Sequence, residues 1–223
     1  MFDAFAKAVR QLGDPAIRRP LWISIGLSLL VFLAVWLGVG WALTHVTLFQ
    51  TGWLDAAIDV LGGLATLAVS WFLFPTVVST TTGFFLDDVA AAVERRHYPR
   101  LPPTRPQPLA EILASSGKLF AIMLVLNIVA LLFLLVPPVF PFVFYGANGY
   151  LLCREYFEVV AARRLDPLAA RTLRRQHART IFAAGVLLAL LLTIPVVNLL
   201  APLIGTAAMV HLFARIQQGD KVR

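Results

Sequence analysis

The segment from Pro20 to Leu43 is an uninterrupted apolar run of 24 residues. At about 1.5 Å per residue, a helix of that length crosses a hydrocarbon layer of roughly 30 Å with some tilt to spare. It is too long for the apolar core of a signal peptide, and Thr44-His45-Val46 beyond it makes no small-residue cleavage site. Composition points the same way. The chain is 59% hydrophobic and 14% charged, with a mean hydropathy of +0.81. A soluble domain is roughly 45–50% apolar and about 25% charged, so a soluble globular enzyme is excluded. The 14 Gly and 14 Pro are close to ordinary usage, which excludes low-complexity disorder. The single cysteine, Cys153, cannot form an intramolecular disulfide. These features predict an all-α integral membrane protein with one membrane domain.

A polar interval, Thr44 to Asp59, leads into a second apolar run from Val60 to Leu86. Good helix formers continue through Asp87, Asp88 and Glu94 to Arg96, so one long helix is expected to run out into water before Pro99. The remaining apolar regions, 119–153 and 181–214, are each broken by proline. Pro137-Pro138 divides the first, and Pro195 with Pro202 brackets a turn in the second. Both turns are apolar, with Asn198 the one polar residue of the second. Halves of about 14–18 residues with apolar tips suggest hairpins that enter the membrane and return on one side. Their freed backbone must then be satisfied by protein or face a water-filled cavity. Two ordinary tight hairpins of full spans are the alternative. The expected layout is two long transmembrane helices, 20–43 and 60–86, plus these two proline-broken hairpins.

All 19 Lys and Arg fall in four places: Lys7–Arg19, Arg95–Lys118, Arg154–Arg179 and Arg215–Arg223. The interval 44–59 and both hairpin tips have none. The positive-inside rule therefore places the basic segments in the cytoplasm, with both termini inside. The cytoplasmic parts are then 1–19, 87–118 with its proline-rich linker, 154–180 and 215–223. A net charge of +7 is explained by these loops without invoking nucleic acid.

No catalytic constellation is evident. Ser116-Gly117-Lys118-Leu119 lacks the first glycine and the final Ser/Thr of a phosphate-binding loop. His45, His97, His177 and His211 lie on separate segments without metal-ligand spacing. No cofactor or metal is expected. The twelve acids are absent from Pro20–Leu54, Leu119–Arg154 and Pro167–Gly219, so no intramembrane carboxylate of the kind that couples transport to protons or sodium is in view.

Asp14-Pro15-Ala16-Ile17-Arg18-Arg19-Pro20 is the most informative stretch. Pro15 suits the first position of a helix capped by Asp14, and Pro20 suits the first position of the next. Helix N-terminal amides lack intrahelical partners and attract anions, and arginine adds forked donors. An interfacial arginine pair holding lipid head groups is the plainer reading, and Asp14 would compete for the amides of Ala16 and Ile17. A second basic cluster includes Arg171, Arg175 and Arg179 at i, i+4 and i+8 behind the expected cap Asp166. It serves either anionic lipid or an electropositive vestibule. Ser79-Thr80-Thr81-Thr82, after Pro75, suits either helix packing or a pore lining.

Four motifs resemble the CysZ sulfate permease family of bacterial inner-membrane proteins. Ala16-Ile17-Arg18-Arg19 resembles its Gly-Leu-Arg sulfate-binding motif, with Ala16 in place of Gly and Ile17 in place of Leu. Pro75 followed by Phe85-Leu86-Asp87-Asp88-Val89 and by Val93-Glu94-Arg95-Arg96-His97-Tyr98-Pro99 is similar to its next signature. Asn148-Gly149-Tyr150 with Glu155-Tyr156-Phe157, and Gly185 with Ile194-Pro195-Val196-Val197-Asn198 and Pro202, resemble its later segments. The resemblance implies two spanning helices, two half-penetrating hairpins, and a homo-oligomer, with a hexamer suggested. It also implies a multi-pass inner-membrane protein that takes up sulfate for cysteine synthesis. Ala16, Ile17, Arg18 and Arg19 are then the expected sulfate-binding residues. Glu94, Arg95, Arg171, Arg175 and Asn198 are candidates for a pore or its supporting network. The expected partners are the sulfate anion, membrane lipid and further copies of the chain. The alternative is a non-transporting membrane protein that organises partners or lipid.

Overall fold

The computed structural model describes residues 2–45 and 52–220. The expectations for residues 46–51 and for Lys221–Arg223 lie outside the described residues. Among the described residues the chain is all-α: α1 (Phe2–Arg10), a 3-10 turn (Gln11–Gly13), α2 (Pro15–His45), α3 (Gly52–Gly83), α4 (Leu86–His97), α5 (Leu109–Phe133), α6 (Phe140–Ala162), α7 (Pro167–Gln176), α8 (Ala178–Leu192) and α9 (Pro195–Asp220). The helices form two compact units. One is Arg18–Phe85, and the other joins Met1–Ile17 to Leu86–Arg223. Among the described residues three stretches, Ile17–Trp41, Leu109–Phe133 and Val197–Gly219, are long and apolar enough to cross a membrane; the expected span 60–86 is not one of them, its apolar part being the shorter Val60–Trp71.

Three local expectations are corrected. Pro20 does not open a new helix, because α2 runs from Pro15 through Pro20 to His45. Proline removes one backbone bond. Its fixed φ of about −65° is itself helical, so close to the start of α2 the helix passes through it with only that bond lost. The long helix expected through Arg96 is divided. Phe84 and Phe85 bond back to the carbonyls of Thr81 and Thr82 (3.2 and 2.9 Å) after Gly83, and α4 restarts with Asp87 and Asp88 in its first turn. Acids there complement the positive end of the helix dipole. Arg171, Arg175 and Arg179 do not share one helical face. α7 stops at His177, whose φ/ψ of −109°/24° leaves the helical region, and Arg179 belongs to α8. The cap itself is as read: Asp166 Oδ1 accepts from the amides of Leu168 and Ala169 at 2.9 and 2.8 Å.

In the unit Arg18–Phe85, Phe32 and Phe74 place their rings 5.6 Å apart, and Trp36 Nε1 donates to Ser70 Oγ at 3.2 Å. Helix-borne hydroxyls turn back on their own turns. Thr66 donates to Gly62, Thr81 to Val77 and Thr82 to Val78, at 2.7–2.8 Å. These bonds remove polar groups from the apolar surface without a tertiary partner.

In the other unit α9 is the buried axis. Leu203, Met209, Val210 and Phe213 are essentially inaccessible, and Phe213 meets Phe157 of α6 edge to face at 6.1 Å. α5 is the opposite case. It packs on α6 but leaves Leu113, Val125, Ile128, Leu131 and Leu132 more than half exposed, which suits lipid or another copy. The arms exceed the expected 14–18 residues. α5 has 25 and α6 has 23, because α5 begins directly after Pro108 and takes in the helix formers from Leu109 to Lys118. The first tip satisfies its own backbone. Leu134, Leu135 and Val136 donate to Leu131, Leu132 and Phe133 at 3.2, 3.3 and 3.0 Å. At the second tip the Thr193 hydroxyl and amide both bond Leu190.

The α6–α8 crossing rests on two glycines. A Cβ on Gly185 would overlap the Gly149 carbonyl and sit 2.9 Å from the Cys153 amide, and one on Gly149 would sit 2.9 Å from the Val186 backbone. Because backbone cannot yield as a side chain tip can, Gly185→Ala should destabilise by at least about 1–3 kcal/mol, the usual cost of overpacking. Gly146→Ala, one turn earlier on α6 where nothing lies within 4 Å, should not. Melting of the detergent-solubilised variants is the check. Equal midpoints for both would show that this crossing is not close-packed.

Candidate functional site

The 3-10 turn delivers the chain to Asp14, which is extended (φ −71°, ψ 134°), and Pro15 opens α2. In the first turn the Ile17 amide donates to the Asp14 carbonyl at 3.0 Å, and the Ile17 side chain is buried. A pocket of about 330 Å³ lies here, with Gln11, Asp14, Pro15 and Ile17 on one side and Ala92, Val93, Arg95 and Arg96 of α4 on the other. Arg96 pairs with the Asp14 carboxylate, so the acid that would repel an anion is already neutralised. Arg95 is exposed at the rim, and among the described residues it has no ion-pair partner. An uncommitted guanidinium beside a helix start is an arrangement that receives oxyanions.

The sequence placed Ala16 and Ile17 with Arg18 and Arg19. The structure brings Ile17 together with Arg95, a residue read only as a network candidate. Ala16 shares the first turn of α2. Arg18 and Arg19 stand in the next turn and are exposed. Arg171 and Arg175 lie on α7, both exposed, and Arg171 lines a different cavity, between α5, α6 and α7. Asn198 is half-buried in the first turn of α9, its amide bonded to the Ile194 carbonyl at 2.8 Å.

Glu94 is a structural clamp. Val89, Ala90 and Val93 bury one face of α4, and Glu94, 5% exposed, continues it. Its carboxylate accepts from Arg164 at 2.9 Å and from Arg163 at 3.2 Å, while Arg163 also reaches Asp87 at 2.8 Å. Successive residues on a helix diverge by about 100°, so Glu94 turns inward and Arg95 outward.

A second polar cluster was not foreseen. The rings of His97 and His211 lie 5.3 Å apart. Gln11 contacts both imidazoles, and the Tyr98 hydroxyl is 2.8 Å from His211 Nδ1. Burial pushes the Tyr98 phenol above its ordinary value. This cluster fastens the N-terminal segment to α4 and α9, with Arg215 and Lys7 near Asp3 at its edge (3.9 and 3.1 Å). Among the described residues no group of His, Cys, Asp or Glu forms a metal site.

Glu94→Gln should leave the buried Arg164 guanidinium without its counter-charge and Arg163 with Asp87 alone, at a cost of about 3–5 kcal/mol. Arg95→Gln, at an exposed position, should melt like the parent. A Glu94→Gln protein with the parent's unfolding midpoint would contradict the clamp.

No curated protein matches the chain. The family described as sulfate transporter CysZ/etoposide-induced protein 2.4 matches residues 4–202, which take in the pocket, the Glu94 clamp and the Gly149–Gly185 crossing. The chain belongs to this family of sulfate transporter CysZ and etoposide-induced protein 2.4.

Proposed function

We propose that this protein is a channel-like sulfate permease of the bacterial inner membrane. In this account it passes sulfate down its electrochemical gradient into a cytoplasm where cysteine synthesis consumes it. The observation that carries the reading is the pocket at the start of α2. There Arg95 stands uncommitted beside Ile17, and Arg96 neutralises Asp14. Ala16, Ile17, Arg18 and Arg19 are the proposed sulfate-binding segment, and Arg95 is a further candidate donor in the pocket that Ile17 lines. Membership of the family supports sulfate as the cargo.

The conducting path is proposed to form in a homo-oligomer, with the hairpins re-entrant and both termini cytoplasmic. The exposed apolar surface of α5 and the exposed Phe142 at the first tip supply faces that a monomer leaves uncovered. Basic segments on one side would lower the barrier for a doubly negative ion without being consumed in a cycle. Passive movement follows from the acids. None lies in Pro20–Leu54 or Pro167–Gly219, and a coupled carrier needs a site whose occupancy by the driving ion biases its conformation.

The test is calorimetric titration of sulfate into purified protein. Arg18→Ala/Arg19→Ala and Arg95→Ala should each weaken binding by about tenfold to a hundredfold, the worth of a charge-assisted contact of roughly 1.5–3 kcal/mol. Their circular dichroism should match the parent. Unchanged affinity in the combined triple variant would remove this segment as the sulfate site.

A further inference from the structure

A cavity of about 920 Å³ opens between α5, α6 and α7 and shares no lining residue with the pocket at the start of α2. Its lining changes character along two helices at once. On α5 it passes from Glu111 and Ser115 to Leu119, Phe120 and Met123, and on α6 from Glu158 and Arg154 to Leu152 and Leu151, with Asn148 beyond them, whose side-chain amide is turned back to the Phe144 carbonyl at 2.8 Å. α5 and α6 are antiparallel arms of one hairpin, so both gradients run in the same direction. The twelve steps from Glu111 to Met123 correspond to roughly 18 Å of helix. The cavity is therefore charged at one end and apolar at the other, over a length that suits an acyl chain.

The charges at the polar end are unequally committed. Glu158 is held by Arg154, itself 2% exposed, at 2.8 Å. Glu111 is held by Arg105 and Asp87 by Arg163. Arg171 and Arg174, at i and i+3 on α7, also line the cavity, and among the described residues neither has an ion pair. Arg174 Nε is buried with no hydrogen-bond partner among the described residues. Glu155 is the one lining acid left unpaired among the described residues, so two guanidiniums face one carboxylate. A pocket of this volume lies near the top of the roughly 300–1,000 Å³ that accommodates a drug-sized ligand. An inorganic oxyanion would leave most of it empty, whereas an amphiphile fills both ends.

We propose that this cavity binds one membrane glycerophospholipid. Its phosphodiester lies against Arg171 and Arg174, and an acyl chain runs over Leu119, Phe120 and Met123. The phosphate satisfies the stranded Arg174 donor, and the chain covers apolar surface that α7 does not reach. The bound lipid would then fasten α7 to the α5–α6 hairpin, independently of any sulfate.

The test is native mass spectrometry of delipidated protein titrated with phosphatidylglycerol in the absence of sulfate. One lipid should be retained per chain. Arg171→Ala/Arg174→Ala should weaken retention by about tenfold to a hundredfold. Leu152→Trp, which fills the apolar end and leaves the charges in place, should weaken it as well. Circular dichroism and size exclusion establish that both variants are folded. Unchanged retention in the double arginine variant would overturn the site. Displacement by millimolar inorganic phosphate, together with full retention in Leu152→Trp, would make it an oxyanion pocket instead. A disulfide between copies through Ser116→Cys, in a Cys153→Ala background, would show that a second chain occupies the groove. Because sulfate is absent throughout, none of these results bears on whether the protein transports it.

Discussion

A peptide group in hydrocarbon has no water to bond, and leaving it unpaired costs several kcal/mol. That constraint accounts for more of this chain than any tertiary contact. It returns the hydroxyls of Thr66, Thr81 and Thr82 to carbonyls four residues back, and the side-chain amides of Asn127 and Asn148 to Met123 and Phe144. It also closes the tip at Leu134–Val136 with short-range backbone bonds. Helices that are self-sufficient in this way can be assembled by shape alone. The α6–α8 crossing shows this, since Gly149 and Gly185 let two backbones approach more closely than any side chain would permit.

Polar chemistry is left to the ends of these helices. There the carboxylates of Asp14, Asp87 and Glu94 each find an arginine. The pairs do two different jobs. Glu94 with Arg163 and Arg164 is buried and ties α4 to the end of α6. Asp14 with Arg96 is more open, and its effect is to leave Arg95 as the uncommitted charge of the pocket. An anion site on a membrane protein needs that surplus, because a matched set of charges has no reason to release one for a ligand.

The all-α class, the apolar helix that opens at Pro15, the Asp166 cap and the breaks at Pro137-Pro138 and before Pro195 were legible in the sequence, because each is written in neighbouring residues. Pro202, read as the far bracket of the second turn, lies instead inside α9, which starts at Pro195 and runs through it. The candidate site was legible in part. Ile17 was found through the helix start, but its partnership with Arg95 joins positions far apart in the chain and has no local signature. The same holds for Gln11, His97, Tyr98 and His211, separated by as many as 200 residues. The misread elements have different causes. The break at Phe84–Phe85 follows Thr80-Thr81-Thr82-Gly83, a run of weak helix formers that the apolar length of 60–86 masked, whereas the stop at His177 interrupts a run of good ones. Lys118, read as the edge of the first hairpin, instead lies well inside α5.

The central claim is that a doubly charged anion crosses this protein passively. A negative-inside potential opposes sulfate uptake by about 4.6 kcal/mol per 100 mV, twice the single-charge value, so direction and driving force can be set independently. The most direct measurement is radiolabelled sulfate flux into liposomes containing only this protein, with the membrane potential clamped and pH or sodium gradients imposed in turn. The account predicts flux that follows the sulfate gradient and the potential and ignores both cation gradients. Accumulation above electrochemical equilibrium under either gradient, or no flux beyond protein-free vesicles, would contradict it.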